Sequence, residues 1–403
     1  AVAGVGYGGY SASSTWFDAD SDGLLDLFVA NYLQVDVSDY RICHEPATTG
    51  AKLAIPCPPW TYPGDPDRFY RNLGDGRFAD ETVDRGIAAV DAAHGLGVVV
   101  GDFDADGDVD LYVANDADLN HLWMNDGEGQ FEELGLLAGT AVNADGAREA
   151  GMGVAAGDVT GDGLPELFVT NYFAETNTLY RNEGTYFVDG TASAKLAGPS
   201  INYTGFGLGF ADFNNDTLLD LYVANGRVGR NNKAIVQSDI FAEPNQLFVG
   251  ESAGRFTEAI LAGGTDPTLI ENSRSAAFGD YDNDGDVDVV IVNNGGTARL
   301  LRNRSGASSK SFRMRVLDRS GRDAIGAMVG MRQGPTWQWR CVGTSYSYLS
   351  SNEPFVHFGL GRDAVDGIVV KWPSGTEQAF DVGSIPLPQT TSGVTHLNEG
   401  SRR

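Results

Sequence analysis

A chain of 403 residues, 42 % hydrophobic and carrying 6 Trp, 15 Tyr and 20 Phe, can bury a large core as two or three domains or as one repeat architecture. The formal charge of −27 excludes nucleic-acid binding through phosphate contacts, because a polyanion is repelled. No run approaches the roughly 20 apolar residues of a membrane span, and a first residue other than Met with no visible signal peptide reads as a mature or trimmed product.

The first informative block begins at Asp18, "DADSDGLLDLFVAN", and it recurs at Asp102, Asp158, Asp212 and Asp280. The offsets are 84, 56, 54 and 68, so the unit is about 55 residues, lengthened by insertions at 32–66 and 226–243. Each unit repeats one plan. A strand of small residues ("GLGVVVGD", "GMGVAAGD", "GFGLGFAD") precedes the acidic block, and an apolar run ending in Asn follows it. A third strand ("RFYRN", "HLWMN", "TLYRN", "QLFVG", "RLLRN") then leads through a Gly-rich turn to a fourth ("GRFADET", "GQFEEL"). Four short strands per unit, repeated radially with small residues on the crowded inner strand, predict an all-β β-propeller of six or seven blades, seven being favoured.

The first insertion contains "CHEPATTGAKLAIPCPP". Cys43, His44 and Cys57 could form a metal site, or Cys43 and Cys57 a disulfide pinning the loop. The disulfide is the favoured reading; it would contribute about 3 kcal/mol and implies an oxidising compartment. Cys341, in an apolar stretch, is expected to be a buried free thiol.

The acidic block reads D-x-[DNT]-x-D-[GT]-x-x-[DE]. Like charges ~5 Å apart at an effective dielectric of ~20 cost roughly 3 kcal/mol per pair, so a cation belongs among them. Alternating oxygen donors in a tight turn suit Ca²⁺, which takes six to eight oxygens. The candidate ligands are Asp18, Asp20, Asp22, Leu24 and Asp26; Asp102, Asp104, Asp106, Asp108 and Asp110; Asp158, Thr160, Asp162, Leu164 and Glu166; Asp212, Asn214, Asp216, Leu218 and Asp220; and Asp280, Asp282, Asp284, Asp286 and Asp288. Positions 1, 3, 5 and 9 supply side chains and position 7 its carbonyl. Gly at position 6 allows φ > 0. An EF-hand would place Glu at position 12, but that position holds Val29, Val113, Val169, Val223 and Ile291, inside the next strand. Up to five Ca²⁺ are expected, taking the formal charge from −27 to −17. Binding should be weaker at the third loop (Thr160, Glu166) and the fourth (Asn214, Thr217). Affinities of roughly 10⁻⁴–10⁻³ M would suit an extracellular site.

The five blocks resemble FG-GAP/VCBS repeats, the calcium-binding blades also found in integrin α-subunit propellers. "AIGAMVGM", "VGTSYSYLSSNEPFVHFGLG" and "VDGIVVKWPSG" resemble the ASPIC/UnbV domain of the cartilage acidic protein family, in its bacterial type. That resemblance implies secretion, calcium and a propeller, and no established reaction. The expected division is 1–305 for the repeats and 306–403 for a β-rich region that could complete one or two further blades. Residues 299–340 hold ten Lys/Arg against Asp318 and Asp323, which predicts docking on an acidic surface, this chain's own propeller before a neighbouring copy's.

No G-x-S-x-G, P-loop or H-E-x-x-H is present, and His44, His94, His121, His357 and His396 are scattered. His357, within a strand, reads as a packed structural residue. The expected function is a secreted, extracellular or periplasmic calcium-binding module for structure, adhesion or surface assembly. Its partner would be a protein, a polysaccharide or a second copy in a homo-oligomer or filament. The alternative is a secreted enzyme using the propeller's central pocket, in which case a metal near Cys43 and His44 would assist.

Overall fold

The computed structural model describes residues 3–400 apart from 37, 39–40, 47–51, 56, 230–233, 306–309, 363 and 385–393. Parts of both insertions and the expected boundary at 305/306 therefore lie outside the described residues.

The chain is an all-β propeller carrying a second β-body. Five sheets are consecutive antiparallel meanders. Blade 1 comprises Ser11–Phe17, Asp26–Asn31, Arg68–Asn72 and Phe78–Asp80. Blade 2 comprises Gly95–Gly101, Asp110–Asn115, His121–Asn125 and Phe131–Glu133. Blade 3 comprises Val154–Gly157, Glu166–Val169, Thr178–Asn182 and Phe187–Asp189. Blade 4 comprises Gly205–Ala211, Asp220–Asn225, Gln246–Glu251 and Arg255–Glu258. Blade 5 has three strands, Ser273–Gly279, Asp288–Asn293 and Arg299–Leu301. The first strand of each blade is innermost and packs on the first strand of the next. The crowding there is real. A Cβ on Gly153 would lie 2.2 Å from Phe206 O, and one on Gly207 2.4 Å from Ala276 N.

The C-terminal strands add no further meander of this kind. Lys310–Leu317 pairs antiparallel with Phe355–Gly361 and parallel with Val394–Asn398, whereas the pairings within the blades are all antiparallel. A second sheet runs in the order Thr336–Cys341, Met328–Gln333, Gly367–Lys371, Glu377–Phe380. Phe312, Met314, Val356 and Phe358 of the first sheet share one core with Val329, Met331, Ile368 and Val370 of the second. The sequence favours seven blades; the strand order among the described residues forms five blades and this separate two-sheet body, because its strands pair with each other out of chain order.

The two-sheet body sits on the end of the propeller that carries the acidic loops and touches all five. Ser21 Oγ donates to Pro373 O (3.4 Å), Ser311 Oγ to Gly285 O (2.6 Å) and Gly361 N–H to Asn215 O (3.2 Å). Gly326 abuts Val109, and the Trp337 carbonyl abuts Gly161. From this body residues 341–352 run down the channel and meet every inner strand. Ser345 Oγ donates to Thr15 Oγ1 and Cys341 Sγ faces Val100 O. Ser347 bridges to Val154, accepts from Leu208 N–H at its Oγ and donates from that hydroxyl to Ala276 O. Asn352 Oδ1 accepts from Phe278 N–H, while Tyr346 stacks on the Phe278 ring. The segment is an axle joining blades 1 to 5.

The ring is open between blades 5 and 1. No contact like those joining successive inner strands links them among the described residues. The consequence shows at equivalent repeat positions. Phe28, Tyr112, Phe168 and Tyr222 are buried; their counterpart Val290 is 40 % exposed, and its cross-strand partner Leu300 is 49 % exposed. On the other side of the gap Trp16 is also exposed and meets the Phe78 ring edge-on.

Candidate functional site

Each acidic loop joins the first and second strands of its blade. Position 6 is left-handed in all five, with φ of 85° at Gly23, 99° at Gly107, 89° at Gly163, 91° at Thr217 and 94° at Gly285. Position 4 is left-handed as well, at Ser21, Ala105, Gly161, Asn215 and Asn283. Two such residues fold the loop back on itself, which allows odd-numbered side chains to turn toward one centre.

Three loops bring carboxylates together, with oxygens within 4.8 Å of one another: Asp18, Asp20 and Asp22; Asp102, Asp104 and Asp110; and Asp280, Asp282 and Asp288. These are the loops with four or more carboxylates. Loop 3 and loop 4 form no such group among the described residues. In loop 4 the oxygens of Asp212 are taken by the amides of Asp216 (2.9 Å) and Thr217 (2.8 Å), and Asn214 Nδ2 donates to Asp216. In loop 3 Asp158 accepts from the amides of Gly161 and Gly163.

Several buried carboxylate oxygens have no donor: Asp18 Oδ1, Asp20 Oδ1, Asp102 Oδ1, Asp282 Oδ1 and, in loop 3, Glu166 Oε1. A buried acceptor without a partner costs about 1–3 kcal/mol, more if charged. Burial is the largest influence on the loop acids. It pushes Asp18 and Asp102 up to about 6, Asp26 to about 7 and Glu166 to about 8, and amide hydrogen bonds offset it only in part. These oxygens, hard and clustered, fit a calcium ion, which the Asp18, Asp102 and Asp280 loops would hold and whose charge would replace the missing donors.

Position 9 joins the cluster at Asp110 and Asp288. In four of the loops its carboxylate is also a clamp between the loop and the third strand. Asp110 accepts from Phe103 and Asn125 N–H (both 2.9 Å), and Asp220 from Phe213 and Gly250 N–H. Asp26 and Asp288 do the same with Ala19 and Asn72, and with Tyr281 and Asn303. Sequence reasoning missed the Asn ending the third strand. Asn125 Nδ2 donates to Ala19 O, Asn182 to Phe103 O and Asn303 to Phe213 O, each stitching a blade to the loop of the blade before it. The recurring "RN" and "MN" endings were the available signal.

The basic C-terminal segment meets the loops of its own propeller. Arg302 pairs with Asp282 (2.7 Å) and Asp284 (2.9 Å). Arg313, buried, pairs with Asp280 (2.8 Å) and Glu353 (3.0 Å). His357 Nε2 lies 3.0 Å from Gly285 O, and burial pushes its ring down to about 4, in keeping with a packed structural residue. Cys43 and Cys57 form the disulfide, so their sulfurs are not thiolate ligands beside His44. Cys341 is free, its thiol pushed up to about 12 by burial. No helix of the described residues is long and apolar enough to cross a membrane.

Residues 60–113, 102–169 and 158–223 match the FG-GAP-like repeat, and residues 317–388 match the family described as ASPIC and UnbV. The chain is thus a propeller of FG-GAP-like repeats followed by an ASPIC/UnbV domain. It is homologous to cartilage acidic protein 1. It is 26 % identical to the Mus musculus protein over 381 residues, covering 80 % of this chain and 58 % of that one. The Homo sapiens protein is 26 % identical, with 79 % and 47 % covered, and the Xenopus tropicalis protein 28 %, with 70 % and 42 %. The chain spans about half the length of these curated relatives. Among solved structures, an Agrocybe aegerita lectin recognising non-reducing terminal N-acetylglucosamine matches with a TM-score of 0.37 and 17 % identity, over 76 % of this chain and 81 % of that one. The Photorhabdus luminescens Tc holotoxin pore matches with a TM-score of 0.33 and 12 % identity, over 89 % and 15 %. Neither likeness is close enough to carry a functional argument.

Proposed function

We propose that this chain is an extracellular binding and adhesion module whose propeller is made rigid by calcium in the acidic loops. The carrying observation is that the Asp18, Asp102 and Asp280 loops each cluster three carboxylates and each leave at least one buried carboxylate oxygen, at position 1 or 3, without a donor. Those loops bind first. The Asp158 and Asp212 loops, with three carboxylates each and no cluster among the described residues, bind more weakly or not at all. Loop 2 depends most on the metal. Arg85 reaches Asp20 in loop 1 and Arg302 and Arg313 reach loop 5, whereas no ion pair to loop 2 is found among the described residues. The disulfide and the relatives' cartilage name support secretion. The channel in which an enzyme would place its pocket is occupied by residues 341–352, which leave only about 100 Å³ beside them, and this favours the binding module over the enzyme.

Calcium exchange tests the reading. Protein stripped with EGTA should take up Ca²⁺ in calorimetry with at least two sites near roughly 10⁻⁴–10⁻³ M, and its melting temperature should rise with added Ca²⁺. An Asp102→Asn/Asp104→Asn variant should lose one site. Identical melting in EGTA and in millimolar Ca²⁺ would sink the proposal.

A further inference from the structure

The acidic loops enter the second strand of each blade; the other ends of those strands surround a different feature. There the disulfide-bearing insertion leans over the channel mouth and encloses a cavity of about 630 Å³. Tyr32, Asp116 and Tyr172 come from just beyond the second strands of blades 1, 2 and 3, and Tyr10 from just before blade 1. Trp60 and Tyr62 come from the insertion. Met152 and Ala150 floor it, backed by the small core they share with Leu96 and Phe206. None of the lining residues belongs to the acidic loops, so this site stands or falls apart from calcium.

Two carboxylates face this aromatic space. Asp116 Oδ2 accepts from the Tyr32 hydroxyl (2.7 Å), while its Oδ1 makes no hydrogen bond among the described residues. Glu175 Oε2 accepts from Ala150 N–H (2.9 Å) and Tyr172 N–H (3.3 Å), and its Oε1 is likewise without one. No Lys, Arg or His is among the described lining residues. The nearby cations hydrogen-bond elsewhere, although the charge of His94 offsets part of that of Asp116. His94 holds Asp118 (2.6 Å) and Tyr62 O (3.1 Å), and Arg148 holds Asp118 (2.9 Å). Arg274 lies over Phe206 and donates to Asn272 and backbone carbonyls, and Arg41 lies 5.8 Å from the Tyr62 ring centre without joining the lining.

Two carboxylates, each with an oxygen unpaired among the described residues, in a space lined by Tyr10, Tyr32, Trp60, Tyr62 and Tyr172 make an electrostatic well for a positive group with an apolar stem. The ring faces carry negative quadrupole charge and attract cations, and a carboxylate sharpens the selection. Tyr10 and Trp60, at 56 % and 70 % exposure, leave their rings available at the lip. The chain's −27 charge draws cations toward it and turns anions away. We propose that this cavity binds an organic cation, an ammonium or guanidinium group set between Asp116 and Glu175 with its carbon stem against the tyrosines. The cavity is larger than one basic side chain, so the cation arrives either as a free amine or as a Lys or Arg on a partner's segment.

Titration calorimetry, with Trp60 fluorescence as a second readout, tests this in constant Ca²⁺. The probes are agmatine, N-acetyl-arginine amide, N-acetyl-lysine amide, neutral cellobiose and anionic glutarate. Agmatine or the blocked amino acids should bind saturably, and more weakly at about 0.5 M than at about 0.05 M NaCl. Asp116→Asn/Glu175→Gln should weaken them by about tenfold or more, the loss of one charge-assisted hydrogen bond. The double variant's melt is checked against the parent; if it does not fold, Glu175→Gln alone with the salt series makes the same test. Tighter agmatine than blocked amino acids assigns a free amine, and the reverse a partner's side chain. Cellobiose binding while the cations are silent, no cation binding up to about 10 mM, or cation binding unchanged in the variants would overturn the proposal.

Discussion

Thr217 occupies a position where the other four loops have glycine, at a φ of 91° that a β-branched residue adopts only under strain. Such strain costs about 1–3 kcal/mol. Replacing Thr217 with Gly relieves it. Against that stand about 0.5–1 kcal/mol of extra chain entropy in the unfolded state and part of the about 0.8 kcal/mol that burying one carbon is worth, because Thr217 Cγ2 packs beside Gly361. The balance is a gain of about 1 kcal/mol. The reciprocal change, Gly107→Thr, sets its Cβ at ordinary contact distance, 3.8 Å, from Gly375 Cα, with no clash at the Cβ. It therefore isolates the backbone term, a loss of about 1–3 kcal/mol. Thermal melts by intrinsic fluorescence, in EGTA so that metal affinity does not enter, should place Thr217→Gly about 2 °C above the parent and Gly107→Thr below it. If Thr217→Gly melts lower than the parent while Gly107→Thr is silent, the claim that one backbone shape is imposed on all five loops is wrong.

Arg313→Gln strips a buried cation from Asp280 and Glu353, and should cost about 3–5 kcal/mol; calcium should stabilise this variant more than the parent, measured as the melting shift between EGTA and Ca²⁺, and equal shifts would refute competition between arginine and metal at loop 5. Leu122 and Leu300 occupy the same repeat position, at 1 % and 49 % exposure. Leu122→Ala should cost about 3–5 kcal/mol and Leu300→Ala about 1; equal losses in denaturant titrations would mean the face of blade 5 is covered. For His94, burial pulls the imidazole down, but the hydrogen bonds to Asp118 and Tyr62 O and the charge of Asp118 outweigh it, so its folded value is raised above 6.5. That contribution is complete below the unfolded value and disappears as pH rises through the folded one. The melting difference between parent and His94→Gln should therefore be larger at pH about 5.5 than at pH about 9, and a difference that is flat or grows with pH contradicts the charged pairing.

The residues alone determined whatever depends on near neighbours. Five acidic loops in register, strand–loop–strand character from the apolar position 12, a left-handed position 6, and a disulfide across one insertion all follow from spacings of a few residues. The charge contrast between 299–340 and the rest was enough to predict docking on this chain's own propeller, since opposite charge acts without a detailed surface. Tertiary structure decided the remainder. The position-9 carboxylate became a clamp because the third strand offered it a second amide beside the one from its own loop. Residues 341–352 became an axle only because five inner strands surround them. Val290 and Leu300 repeat the pattern of buried residues yet stand exposed, because a side chain's burial depends on whether another blade lies against it, and no local sequence carries that information.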